Sequence, residues 1–198
     1  KIAGAFKLLY LAKRTTAKVI LVNTDTATIP NKATLQTYLN ETYKGAGASF
    51  EVIETITINI NDKLSDVTKI DSGESGFAAN YTTEQQAINN AIMATSQYAA
   101  NKDAYYLIIT NKKATKQDEE GFMPLGRQFG YIFSGGNHTI AHELGHGIYQ
   151  LKHPFSTTGF NFPSGITNWL MDYSDKDDLP YAHWKQIQSP SWRIGIFD

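Results

Sequence analysis

The spacing of hydrophobic residues in the first part of the chain predicts three strands. A short apolar run, KVILV at 18–22, suits a buried strand. From 50 to 60 the even positions are mostly apolar, and this period of two indicates a half-buried strand. A further run, AYYLIIT at 104–110, is typical of a buried strand.

Two helices are predicted between these strands. Apolar residues recur at helical spacing over 35–43, and glycines follow directly. A longer helix carries its apolar face over 87–99, and Thr83 with Gln86 forms a candidate capping box at its start. The order strand, helix, strand, helix, strand implies a layered α/β arrangement with some parallel pairing.

The stretch FMPLGRQFGYIF at 122–133 combines glycine and proline with aromatic residues. Pro124 cannot donate a ladder hydrogen bond, so we expect an edge strand with a bend here. The polar residues at 111–121 are interpreted as a surface loop. SGGN at 134–137 breaks the strand, and a new helix is expected to begin near His138 with Asn137 as its cap.

Composition narrows the possible functions. The net charge is −1 and the basic residues are scattered, which argues against a nucleic-acid-binding face. No apolar run approaches the roughly 18 residues of a membrane span. Cysteine is absent, so any bound metal must use nitrogen and oxygen ligands.

The length of 198 residues fits one domain, 1–198, with two lobes around a cleft. We expect an α/β N-terminal lobe, 1–146, with a mixed twisted sheet, backing helices and the helix that carries the candidate site. A smaller C-terminal lobe, 147–198, is expected to end in a helix over 179–188. The N-terminal residues 1–14 are interpreted as a short amphipathic helix or linker.

Three residues in the helix after His138 carry the candidate chemistry: His142, Glu143 and His146. The two histidines are four positions apart, so on a helix they project from one face. Both imidazoles can then reach one ion at about 2.0–2.1 Å, as in zinc-binding HExxH helices. Glu143, rotated by one residue, reaches a water on the metal and can act as general base. The alternative is a helix with two unrelated histidines.

The third ligand does not follow from this spacing. On a straight helix His153 would lie about 10 Å beyond His146 along the axis, too far for coordination. We therefore expect the chain to leave the helix soon after His146, at Gly147, and to double back. His153 is the predicted third ligand, and His138 is interpreted as a wall residue. The competing ligands are downstream carboxylates: Asp172, Asp175, Asp177 and Asp178.

Two segments resemble the metzincin clan of zinc peptidases. One is TIAHELGHG with the following His153, and the other is NWLMDY at 168–173, which is similar to the Met-turn, where a methionine lies beneath the metal. The resemblance implies Zn²⁺ as cofactor and the zincin-like α+β fold. It places Met171 in the Met-turn and the Tyr173 hydroxyl near the metal or the transition-state oxyanion.

The third histidine departs from the clan pattern by one residue. Tyr149 occupies the position of the clan's glycine, and Lys152 occupies the position of its third histidine. Because His153 arrives one residue late, we expect Tyr149 or Gln150 to adopt an unfavourable backbone conformation.

The resemblance implies a zinc-dependent endopeptidase whose extended polypeptide substrate binds along the edge strand, at 129–133. The alternatives are a toxin-like effector peptidase with one protein target and a non-catalytic, zinc-stabilised binding domain. The segments GFMPLGRQFGYIF, TIAHELGHG and LMDYS also resemble metallopeptidase domains of large Bacteroidetes surface or toxin-like proteins. This implies a secreted or cell-surface location.

Overall fold

The computed structural model describes residues 10–72, 80–156, 160–174 and 176–189, so most of the predicted N-terminal helix or linker and Asp175 lie outside the described residues. Among the described residues, no helix has the length and apolar character needed to cross a membrane. The elements are β1 Ala17–Asn23, α1 Lys32–Tyr43, β2 Phe50–Thr57, β3 Lys69–Ile70, α2 Thr83–Met93, α3 Ser96–Ala100, β4 Tyr105–Ile109, β5 Lys113–Ala114, β6 Gly121–Phe122, β7 Phe129–Ile132, α4 Asn137–Tyr149 and α5 Tyr181–Gln188.

The main sheet has five strands in the order β2-β1-β4-β7-β6. The first four strands are parallel, and β6 runs antiparallel to β7, which confirms the predicted mixed sheet. The centre of β1, Val19–Val22, is fully buried because helices cover both faces of the sheet. The short strands β3 and β5 form a separate two-stranded sheet, and β5 lies within 111–121, the region predicted to be a surface loop.

The edge strand is not where the sequence placed it. Phe129–Ile132 pairs with β4 on one side and β6 on the other, so it lies inside the sheet. The edge on this side is the two-residue strand Gly121–Phe122. Gly126, with a φ of 74°, lies in the turn that separates β6 from β7. The prediction that residues 129–133 form an edge of the sheet is therefore wrong.

The predicted long helix is divided in two. α2 ends at Met93, and the Thr95 side chain accepts a hydrogen bond from the Tyr98 backbone N–H to begin α3. The capping box lies one residue earlier than predicted, at Thr82 and Gln85. Thr95 therefore interrupts the helix, since its hydroxyl caps a new helix start.

Two hydrophobic clusters cover the two faces of the sheet. One contains side chains of α2, such as Ile88 and Ile92. The other contains side chains of α1 and α4 together with Leu170 and Met171 from the C-terminal part of the chain. The C-terminal segment is thus packed against the helix that carries the candidate ligands.

Candidate metal centre

Helix α4 lies beneath the β7–β6 side of the sheet, and the residues from Thr139 to Tyr149 are all buried. Its N-cap is Gly136, with no side-chain capping bond, and not Asn137, which is the first helical residue. Gly135 precedes it with a φ of 81°. A side chain at Gly135 would collide with Thr139, so the glycine pair lets the chain turn tightly into the helix.

The two helical histidines are held in one orientation by backbone carbonyls. Nδ1 of His142 lies 2.8 Å from the Leu170 oxygen, and Nδ1 of His146 lies 2.6 Å from the Leu151 oxygen. A carbonyl oxygen only accepts hydrogen bonds, so each Nδ1 carries the proton. Each Nε2 then has a free lone pair, which is the form that binds a metal.

The chain returns to these histidines through Gln150. The helix ends there, because Gln150 has a φ of 56° and its N–H donates to the Gly145 and His146 carbonyls. This confirms the expected backbone strain at Tyr149 or Gln150, and it shows that the predicted break at Gly147 is wrong. Gly147 stays helical and permits close packing, since a Cβ there would lie 2.4 Å from the Met123 sulfur.

The reversal brings His153 to the other two rings. Its Nε2 lies 2.9 Å from that of His142 and 3.1 Å from that of His146, while the His142 and His146 Nε2 atoms are 3.1 Å apart. Nitrogens bound tetrahedrally to one zinc lie about 3.3 Å apart. The triangle is therefore close to the geometry of a three-histidine metal site, and these are the residues among those described that can share an ion.

The electrostatics of the triangle also fit a cation. Burial, and then the neighbouring imidazoles, lowers the pKa of His142, His146 and His153 to about 3. All three rings are therefore neutral at neutral pH. Converging lone pairs of neutral rings repel one another, and a shared metal ion removes this repulsion.

The competing carboxylates have other roles. Asp172 accepts hydrogen bonds from the backbone of Gly165, Thr167 and Tyr173 and from the Thr167 hydroxyl. It is buried, and burial opposes ionisation, but these bonds hold its pKa below the usual value. Asp178 forms backbone bonds with the chain at 168–170. Neither is part of the histidine triangle.

Glu143 lies between the histidines and the edge strand. Its carboxylate contacts Gly121, where an added Cβ would lie 2.8 Å from Oε1. Burial and then the charge of Glu119 raise the pKa of Glu143 well above its usual value. A hydrogen bond from the Met123 backbone lowers this pKa, but its effect is smaller. Gly121 thus allows the carboxylate to approach strand β6 closely.

Met171 lies directly against α4. A Cβ added to Gly145 would meet the Met171 sulfur and the Tyr43 hydroxyl, each at 2.8 Å. Met171 is fully buried. Because Gly145 lies between His142 and His146, Met171 packs against the part of α4 that carries these two histidines.

The cluster opens into a cleft of about 710 Å³. Tyr173 lies at its rim with 67% of its surface exposed, and its ring centroid is 5.2 Å from that of His153. Phe155 stacks on His153, with ring centroids 4.7 Å apart, and the Phe155 centroid lies 4.9 Å from that of Tyr173. Burial at the cleft wall, and then the charge of Glu143, raises the pKa of Tyr173, so its hydroxyl keeps its proton at neutral pH.

His138 also lines the cleft, as predicted for a wall residue. Its ring is outside the triangle, with its centroid 6.4 Å from that of His142. Its Nδ1 lies 2.9 Å from Oδ1 of Asp177, the remaining described carboxylate among the predicted competitors.

No family model matches the chain, and no curated protein matches its sequence. Among solved structures, it is similar to metalloproteinase-II from Bacteroides fragilis, with a TM-score of 0.57 and 14% sequence identity over 90% of this chain and 54% of that chain. It is also similar to archaemetzincin from Methanopyrus kandleri, with a TM-score of 0.53 and 12% identity over 87% of this chain and 94% of that chain. The fold is that of the zincin-like metallopeptidases. The chain spans about half the length of the Bacteroides metalloproteinase.

Within this zincin-like fold, sequence reasoning missed three residues that shape the site. Gly121 makes room for Glu143, Asp172 organises the turn that holds Met171 and Tyr173, and Phe155 supports His153. A glycine beside an aromatic residue at 121–122 is a weak signal for a strand. Asp172 gives no local signal either, because its side chain accepts hydrogen bonds from Gly165 and Thr167, which precede it by seven and five residues, whereas an aspartate turn bonds the backbone two residues on.

Proposed function

We propose that the protein is a zinc-dependent endopeptidase. His142, His146 and His153 hold the metal, and Glu143 is the general base. The observation that carries this proposal is the triangle of three neutral Nε2 atoms, 2.9–3.1 Å apart, at the base of an open cleft.

Zinc is the metal that suits this donor set. Three imidazole nitrogens with one open position are the ligands of many catalytic zinc sites. A calcium or magnesium site would instead use oxygen ligands. The hydrogen bonds from His142 and His146 to backbone carbonyls fix the rings in the metal-binding tautomer.

The chain's own groups supply the proton transfers. Bound zinc provides Lewis acidity that polarises a peptide carbonyl and acidifies water. Glu143 accepts a proton from the attacking water and returns it to the leaving nitrogen. Its burial raises the pKa of the carboxyl, and so raises the proton affinity of the ionised carboxylate that accepts a proton in each cycle.

Tyr173 is the candidate donor to the developing oxyanion. Its hydroxyl remains protonated and its ring lies beside His153 at the rim of the cleft. Asp172 fixes the backbone of Tyr173 through the bond to its N–H. Met171 fills the place of the Met-turn methionine, since it packs beneath Gly145 on the ligand helix.

The substrate is an extended polypeptide that pairs with strand β6. In the sheet, β6 has β7 as its neighbour on one side, and none of the described strands pairs with its other side. An exposed edge binds extended peptides through backbone hydrogen bonds. Because Glu143 touches Gly121 of this strand, a peptide at the edge would lie next to the base.

A mixed peptide library, read by mass spectrometry, tests this function. The zinc-loaded wild type should produce new internal cleavages that a chelator abolishes. Glu143→Gln should retain zinc and lose about 10²–10⁴-fold in rate. A wild type with stoichiometric zinc and no cleavage, or a Glu143→Gln variant as active as the wild type, would refute the proposal.

A further inference from the structure

His138 is held on the cleft wall by a chain of side chains from three parts of the molecule. It lies on α4 one turn before His142, and its Nδ1 is 2.9 Å from Oδ1 of Asp177. The same Oδ1 accepts a hydrogen bond from the Tyr38 hydroxyl of α1. The His138 side chain is 26% exposed, so it is both anchored and accessible.

The contact with Asp177 decides what the rest of the ring can do. A carboxylate only accepts hydrogen bonds, so the proton lies on Nδ1 of His138. In the neutral ring, Nε2 is then a hydrogen-bond acceptor. Within the described part of the chain, this nitrogen has no hydrogen-bond partner.

His138 and the residue that follows it lie against different parts of the cleft wall. Thr139 contacts Glu120 at 3.1 Å, immediately before β6. His138 contacts Asp177 of the C-terminal segment instead. Successive helical residues point in directions about 100° apart, so His138 is not on the part of the wall that Thr139 shares with β6.

We propose that His138 is a substrate-binding residue whose Nε2 accepts a backbone N–H of the bound peptide. The proposal rests on the endopeptidase function. An extended peptide carries hydrogen-bonding groups on both of its edges. Strand β6 can pair with one edge, and the groups on the other edge face the wall that His138 lines.

Asp177 and Tyr38 are positioning residues that hold the His138 ring in place. Asp177 fixes the ring and its tautomer, and the Tyr38 hydroxyl fixes the carboxylate. Their loss should weaken the His138 contact without removing a group that touches the substrate. The expected order of effect is His138, then Asp177, then Tyr38.

Peptide analogues with single ester bonds test the contact directly. In each analogue, one backbone N–H near the cleaved bond is replaced by oxygen, while the scissile amide is retained. At the contacted position, the replacement should lower kcat/KM of the zinc-loaded wild type about tenfold, the size of one hydrogen bond. In His138→Ala the same replacement should change kcat/KM less than twofold.

Further variants distinguish loss of the contact between His138 and the peptide from loss of folding. His138→Gln keeps an acceptor near the position of Nε2 and should restore part of the sensitivity to the ester. Asp177→Ala should reduce that sensitivity, whereas Asp178→Ala, the same change at the adjacent exposed aspartate, should not. Zinc content should be equal in all these variants.

The outcomes distinguish this proposal from the function it rests on. If the all-amide peptides are not cleaved by the wild type, the endopeptidase function fails and the contact fails with it. If they are cleaved, and every ester lowers kcat/KM equally in the wild type and in His138→Ala, the His138 contact alone is refuted.

Discussion

Helix α4 and the segment 151–180 both face the histidine cluster, but they place their residues by different means. α4 is a regular, buried helix, and its geometry alone puts His142 and His146 on one face. The described residues of 151–180 form no helix and no strand of several residues. The path of this segment is set by residues with positive φ, which are Gln150 directly before it and Asn161 and Gly165 within it.

The difference shows where tertiary structure is needed. The helix brings two ligands together by local hydrogen bonding. The segment places Met171 and Tyr173 with the help of side chains such as Asp172, which accepts hydrogen bonds from backbone N–H groups of the segment. Substitutions in the two regions should therefore change different properties of the protein.

The largest effects are expected at the ligands. His146→Ala and His153→Ala should each weaken zinc affinity more than about 100-fold, because the loss of groups outside the ligand sphere already costs 10–100-fold. His138→Ala should leave zinc affinity unchanged. Titration with a competing chelator measures all three, and a greater loss in His138→Ala than in His153→Ala would mean that the third ligand is misassigned.

The next largest effect is expected at the turn of the C-terminal segment. Asp172→Ala removes the acceptor of four hydrogen bonds, three of them from backbone N–H groups. It should lower the free energy of unfolding by about 2–4 kcal/mol. Urea denaturation provides the measurement. Asp178→Ala serves as the control, and equal stability of the two variants would contradict the role of Asp172.

The contact between the two regions can be tested at Gly145. A methyl group there would lie 2.8 Å from the Met171 sulfur, so Gly145→Ala should destabilise the protein by about 1–3 kcal/mol. The matched control is the same substitution in a Met171→Ala background, where the sulfur that the new Cβ would approach is absent. Thermal unfolding compares the effect of the substitution in the two backgrounds. An equal loss of stability in both would exclude the close approach of Met171.

The smallest effect concerns His183 in α5, whose ring is buried and whose two nitrogens have no hydrogen-bond partner among the described residues. Burial lowers its pKa to about 4 from an unperturbed 6.5. As pH falls below 6.5 the unfolded chain binds the proton before the native state does, so stability is lost between pH 6.5 and 4.

Replacing His183 with phenylalanine should remove this contribution. Between pH 7 and 5, the wild type should lose about 1–2 kcal/mol more than His183→Phe, as measured by urea denaturation at each pH. Parallel losses in the two proteins would mean that His183 is protonated in the folded state.

Much of the fold could be predicted from local patterns. Strand β2 follows from a period of two and α1 from helical spacing, whereas β1 and β4 follow from continuous apolar runs. Helix α4 follows from the break at 134–137 before His138. The edge strand could not, because Gly121–Phe122 is too short to carry a period. The break before α3 depends on whether the Thr95 hydroxyl caps a new helix, which the apolar spacing does not reveal.

The candidate site also contains residues that could be predicted from the sequence and residues that could not. His142, Glu143 and His146 could be assigned from their spacing on one helix. The position of His153 depends on Gln150 adopting a left-handed conformation, and nothing in the spacing distinguishes Gln150 from Gly147 as the point of reversal. Asp177 contacts His138 and Tyr38, which lie in distant parts of the chain, so this contact required the structure.

X-ray absorption spectroscopy of the purified, zinc-loaded protein tests the central assignment most directly. We predict about one zinc per chain, bound by three imidazole nitrogens at about 2.0–2.1 Å and one oxygen ligand. Loss of one imidazole from the spectrum of His153→Ala would support the assignment of that residue. A protein that binds no stoichiometric zinc, or whose zinc retains three imidazoles in His153→Ala, would contradict it.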